Sequence, residues 1–123
     1  MINYFKYHEF DSPLQQGSGQ LMDKGFLYML NQARHIADTP FEITSGFRIE
    51  ADIERLEKAG YKVSKNSSHL KGVAADIACE SGSERLKIVS ALIQAGFKRI
   101  GIAKTFIHCD TDSDKPNSIW TYA

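Results

Sequence analysis

The segment Ser67-Ser68-His69-Leu70-Lys71-Gly72-Val73-Ala74-Ala75-Asp76 constrains this chain more than any other. A histidine and an aspartate stand seven residues apart, with Gly72 between them and small residues before the aspartate. Fully extended, seven residues span about 23 Å at roughly 3.3 Å each, so the two side chains meet only if the chain turns. Gly72 is the residue best able to make that turn, and Ala74 and Ala75 leave room for Asp76 to point inward from the strand that follows. Asp76 is the lone charged residue in the small, apolar run Val73 to Cys79, which reads as a buried strand. A carboxylate in such a place needs a partner.

The rest of the chain supplies elements to pack against that strand. The first 20 residues read as irregular, because Asp11-Ser12-Pro13 and Gly17-Ser18-Gly19 are turn signals. From Leu21 onward Leu27, Leu30, Ala33 and Ala37, with Phe26 and Ile36 beside them, lay an apolar stripe on a helix that Asp38-Thr39-Pro40 stops. Phe41 to Thr44 alternates as a short strand ending at Ser45-Gly46, and Ala51 to Ala59 reads as a helix with Ile53 and Leu56 on one side. Tyr61 to Lys65 fits no pattern. Ser81 and Glu84 have capping-box spacing ahead of a helix whose predicted apolar side is Leu86, Val89, Leu92 and Ile93, with Gly96 to end it. Arg99 to Ala103 and Thr105 to Asp110 are β-rich runs, followed by a polar tail that ends near Trp120 and Tyr122. Helices and strands interleave while the strands cluster late, which predicts an α+β fold with a small antiparallel sheet.

At 123 residues, residues 1–123 make one compact domain and are too short for two. Lys plus Arg number 15 and Asp plus Glu number 15, so the net charge is zero and there is no basic excess to neutralise phosphates. Nucleic acid is excluded as a partner on that ground. No stretch approaches the roughly 18 apolar residues of a membrane span, and the start, MINYFKYHEF, lacks the apolar core of a secretion signal. Cys79 and Cys109 make neither a CxxC pair nor a zinc-knuckle spacing and read as buried thiols.

His8 and His35 read as surface residues, which leaves His69 and His108 for chemistry. His108 lies in Phe106-Ile107-His108-Cys109-Asp110, where flanking Ile and Cys predict partial burial. His69, Asp76 and His108 could together make three ligands with one position open, the arrangement of a catalytic zinc site. A buried histidine satisfied by a backbone carbonyl, with Asp76 capping a turn, is the competing reading of the same residues.

Ser67-x-His69-x-x-Gly72-x-Ala74-x-Asp76 resembles the SxHxxGxAxD signature of the zinc D-Ala-D-Ala peptidase family, which includes carboxypeptidases, dipeptidases and phage endolysins. Ser45-Gly46-Phe47-Arg48 resembles the SGYR segment that precedes it, and Gly101 to Asp110 resembles the late strands carrying the last histidine. The likeness runs from about Phe10 to Trp120. It implies a hedgehog-like, D-Ala-D-Ala peptidase-like fold, one Zn2+ held by His69, Asp76 and His108, and peptidoglycan stem peptides as substrate. It also implies that Arg48 holds a substrate carboxylate or polarises the scissile carbonyl, a task suited to a guanidinium, and that Ser67 contacts substrate or supports a ligand. The bland reading of Arg48 is a surface ion pair.

The general base is where the chain departs from that family. A Glu three residues before the last histidine, or a His two before it, is replaced here by Thr105 and Phe106. Asp110 follows His108 by two residues, so on a strand both side chains share a face, which makes Asp110 the expected base, with Glu50 or another carboxylate brought in by a loop as competitors. The alternative role for Asp110 is to orient a histidine ligand. The Asn66-Ser67-Ser68 sequon falls inside the metal motif and is set aside, and Lys62, Lys65 and Lys71 read as a solvated basic face.

The expectation is therefore a monomeric zinc metallopeptidase, a carboxypeptidase or cross-link endopeptidase. It would be made in a bacterial cytoplasm and reach the cell wall after phage-type membrane damage or as part of a particle. A zinc-containing module that binds wall or protein without turnover, as the similarity to hedgehog domains implies, is the alternative, and a virion component holding wall fragments is a third.

Overall fold

The computed structural model describes residues 4–64 and 66–122. Three helices, α1 (Lys24–Ala37), α2 (Glu50–Lys58) and α3 (Gly82–Gln94), accompany five strands: β1 (Ile43–Ser45), β2 (Ala74–Ala78), β3 (Arg99–Ile102), β4 (Phe106–Asp110) and β5 (Ser118–Thr121). The strands form one sheet in the order β1-β2-β4-β3-β5, antiparallel except for the parallel β3–β5 pair. This is the α+β fold with a small, mostly antiparallel sheet that the sequence predicts.

Alternation along the strands divides the sheet into two faces. Ala75 and Ile77 of β2, Ile107 and Cys109 of β4 and Ile100 of β3 turn toward α1 and α3 and are fully buried. Phe26, Leu27, Leu30, Ala33, Ile88, Ala91 and Leu92 cover them from the helices. Asp76, His108, Asp110 and Gly101 lie on the opposite face, and that face carries the site.

Several boundaries differ from the sequence expectation. α1 begins at Lys24 because Asp23 is its N-cap, accepting from the Phe26 N–H at 2.8 Å, and Leu21 lies ahead of it, 60% exposed. In α3 the buried stripe is Ile88, Ala91 and Leu92, while Leu86 and Ile93 face outward at 72% and 51% exposure. The phase is set by packing of α3 against α1 and the sheet. The opening segment contains two short 3₁₀ turns, Tyr7–Phe10 and Ser18–Leu21, and sends Phe10 into the core. The polar tail is a correction of another kind, since it forms β5 against β3. Both cysteines are buried, as read. No helix among the described residues is long and apolar enough to cross a membrane.

Candidate metal centre

A single row of residues crosses the sheet. Ser45 on β1 stands opposite Asp76 on β2, Asp76 opposite His108 on β4, His108 opposite Gly101 on β3, and Gly101 opposite Trp120 on β5. Directly opposed residues share a face, so the register alone brings Asp76 and His108 together. His108 Nδ1 lies 2.9 Å from Asp76 Oδ1.

His69 arrives from outside the sheet. Ser67 caps the 3₁₀ turn Ser68–Lys71 by accepting from the His69 N–H at 3.2 Å, and Gly72 ends it with φ of 73°. That left-handed turn, which a side chain would strain, folds the chain back so that His69 Nε2 lies 3.4 Å from Asp76 Oδ1. The ring is held from behind, because its Nδ1 donates to the Gly46 carbonyl at 2.7 Å, while the Arg48 N–H bonds the His69 carbonyl at 3.2 Å. With Nδ1 occupied, Nε2 is the nitrogen left to face Asp76.

His69, Asp76 and His108 each offer an atom, all within 4.8 Å of one another. Two imidazoles and one carboxylate, fixed from behind and open to a cavity of about 580 Å³, fit a divalent metal that keeps one position free. Arg48 reaches the same place, with Nε donating to Ser45 Oγ at 3.0 Å and Nη2 lying 3.6 Å from Asp76 Oδ2. Ser67 also lines the cavity.

The charge states follow from these contacts. Burial alone would raise the Asp76 carboxyl, but the bonds from His108 and His69 outweigh it and hold the group well below the usual carboxylate range. Burial pushes the His69 pKa down, against the pull of Asp76. For His108 burial is outweighed in the other direction by the bonds to Asp110 and Asp76, and its pKa rises.

Asp110 is 1% exposed and fully engaged. Its Oδ2 lies 2.7 Å from His108 Nε2, and its Oδ1 accepts from Arg99 Nε at 2.7 Å and from the Asp112 N–H at 3.0 Å. Glu50, the competing carboxylate, is exposed in the first turn of α2 and does not line the cavity. Thr105 is exposed in the β3–β4 turn, and Phe106 puts a ring where a polar group was expected. Among the described residues, Asp76 and Asp110 are the only carboxylates lining the cavity.

Arg99, Asp112, Trp120 and Tyr122 were not singled out by sequence reasoning. Asp112 is buried and accepts from Ser68 Oγ at 2.8 Å and from Lys71 Nζ at 2.9 Å, which ties the turn carrying His69 to the loop after β4. Lys62 and Lys71 are exposed, as a solvated face requires, with Lys71 also paired to Asp112 and Asp114, and Lys65 lies outside the described residues. His8 and His35 are exposed, as expected.

The Asp112 clamp carries a pH dependence. Burial raises its pKa, the bonds from Lys71 and Ser68 lower it by more, and the net position is well below the ordinary carboxylate value. A depressed folded-state pKa stabilises the fold above the unfolded pKa, near 3.9, and that stabilisation disappears as pH falls through the folded value. Thermal melts of the wild type therefore decline more steeply from pH 4 to pH 2 than those of Asp112→Asn. The variant keeps part of the slope through Asp76 and Asp110, whose shifts have the same sign. Parallel slopes would remove Asp112 from the acid response.

Comparison with known proteins gives a structural neighbour and a family. The Serratia marcescens L-Ala D-Glu endopeptidase ChiX superposes with a TM-score of 0.55 at 20% identity, over 62% of this chain and 62% of that one, which shows a shared fold. No curated protein sequence matches the chain. The model of the family described as Peptidase M15 matches residues 3–110, a span that contains the SGFR segment, the Ser67 to Asp76 motif and His108. With β1 to β4 and the three candidate ligands His69, Asp76 and His108 inside that span, the chain belongs to the peptidase M15 family.

Proposed function

We propose that this chain is a zinc-dependent peptidase acting at the bacterial cell wall, where it hydrolyses peptide bonds of peptidoglycan stem peptides. The observation that carries the reading is the convergence of His69 Nε2, Asp76 Oδ1 and His108 Nδ1 beside an open cavity that also contains Arg48. A zinc ion held there supplies a Lewis acid for the scissile carbonyl and an acidified water. The chain's own residues do the rest. Gly46 holds His69 through Nδ1, and Asp110 holds His108 through Nε2, so both rings keep their ligating nitrogens turned to Asp76. Arg48, anchored on Ser45, offers its remaining N–H groups to a substrate carboxylate or to the carbonyl oxygen as it gains charge.

Asp110 is assigned the holding role over that of general base, because both its oxygens are bonded and it is almost wholly buried. Asp110→Asn separates the two. As a holder, the variant loses zinc affinity about ten- to a hundredfold and regains turnover at saturating zinc. As a base, it binds zinc normally and loses about a hundred- to ten-thousandfold in turnover.

The function is tested by incubating the zinc-loaded protein with purified peptidoglycan and analysing released peptides by mass. New peptide termini identify the bond, whether a terminal D-Ala is removed or a cross-link is cut. One feature favours a second reading, a zinc-containing binding module: the cavity offers no carboxylate free of internal bonds among the described residues. Stoichiometric zinc and peptidoglycan binding without any new termini would select the module.

A further inference from the structure

β5 lies beyond the segment that the family model matches, at the edge of the sheet, yet it is built into the site. Trp120 ends the cross-strand row that contains Asp76 and His108, and its ring centroid lies 5.5 Å from that of His108. Gly101 makes this approach possible. A Cβ there would come within 2.7 Å of Trp120 Nε1 and 2.7 Å of Tyr122 Cε1, so another residue would lift both rings off the sheet. The Arg99 guanidinium lies over the indole at 4.8 Å, and Arg99 is itself fixed to Asp110. Tyr122 shares the face of Trp120 and packs against Phe106 at 5.2 Å between centroids.

An edge strand serving only to cover the core would bury its core-side residue. β5 does the reverse. Ile119, opposite the buried Ile100, is 56% exposed, while Trp120 on the site face is the least exposed residue of the strand. Phe106, Trp120 and Tyr122 line the cavity beside the metal centre, and Tyr122 remains 44% exposed, an apolar ring facing a cleft with Arg48 among its other walls. Aromatic rings take up short aliphatic groups, and a guanidinium pairs with a carboxylate.

We infer that β5 and the residue that follows it form the substrate wall of this site, Trp120 and Tyr122 receiving the aliphatic side of a short acidic peptide whose carboxylate Arg48 holds. The identity of that peptide as a peptidoglycan stem peptide rests on the function proposed above. Trp120 is the sole tryptophan of the chain, so its emission reports on this wall alone.

The test titrates the zinc-loaded full chain with a soluble stem pentapeptide, following tryptophan emission and heat of binding, with turnover measured separately. Wild-type emission changes to saturation. Tyr122→Ala, Trp120→Leu and Gly101→Ala each weaken binding at least tenfold by calorimetry, with zinc stoichiometry and melting of the exposed-edge variant Tyr122→Ala unchanged. Affinities within twofold of wild type in all three variants would overturn the wall and leave the peptidase reading standing if wild type turns over. Tenfold losses without wild-type turnover would uphold the wall and overturn the peptidase. No binding by wild type would overturn both.

Discussion

His69→Ala leaves the chain without bound zinc at micromolar protein and lowers peptide hydrolysis at least about a thousandfold, because both the Lewis acid and the activated water depart with the ion. Two ligands remain, Asp76 and His108, whose Oδ1 and Nδ1 lie 2.9 Å apart. Two protein ligands are one fewer than the three of a catalytic zinc site, so the ion is held far less tightly. The variant has a second, separable consequence. The Gly46 carbonyl loses its partner at 2.7 Å, and an unsatisfied buried acceptor costs about 1 to 3 kcal/mol. Melting is therefore recorded alongside metal content, and Asp76→Asn, which is isosteric and leaves the Gly46 bond untouched, is the companion. Both variants are expected to lose zinc, and only His69→Ala to lose the Gly46 contribution to stability. One equivalent of zinc retained by either protein would remove that residue from the ligand set.

This metal centre is legible in the sequence because its constraints are local. Asp76 follows His69 by seven positions, and a turn at Gly72 joins them, so a short window contains the geometry. His108 is readable for a related reason, lying on an apolar strand whose neighbours predict burial. Even the two residues that hold the rings have local signatures, since Gly46 lies in the SGFR segment and Asp110 follows His108 by one pleat.

What the sequence hides is set by partners far along the chain. Ser118 to Thr121 has little alternation and follows a polar run, and it becomes a strand only because β3 offers a free edge. Trp120 then reaches His108 only because residue 101 lacks a side chain, a fact about a different strand. The exposed phase of Leu86 and Ile93 has the same origin. Their spacing is helical on either reading, and which side is buried depends on the fit of Ile88, Ala91 and Leu92 to α1. Asp112 gives little signal of its clamping role, because the turn it holds, through Ser68 and Lys71, lies some forty residues earlier.

Arg48→Ala is expected to lower kcat about a hundred- to a thousandfold with zinc stoichiometry unchanged, the range seen when a donor to a developing oxyanion is removed. The competing reading makes Arg48 an ion-pair partner of Asp76. The geometry argues against that being its whole role, since 3.6 Å is long for such a pair, the side chain keeps 23% of its surface open, and Nε is committed to Ser45 rather than to the carboxylate. An arginine anchored by one nitrogen beside the opening of a metal site has donors left for a ligand. Arg48→Lys decides between the readings. A lysine ammonium can stand near Asp76 and satisfy it, but it cannot donate to Ser45 and present a planar pair of N–H groups at once. Loss of activity in Arg48→Lys close to that of Arg48→Ala, with both proteins holding one zinc, assigns the guanidinium to the substrate. Activity within twofold of wild type in the lysine variant would reduce Arg48 to a charge beside Asp76. Ser45→Ala completes the set: freeing Nε costs a smaller factor, about tenfold, because the donors remain and only their aim is lost.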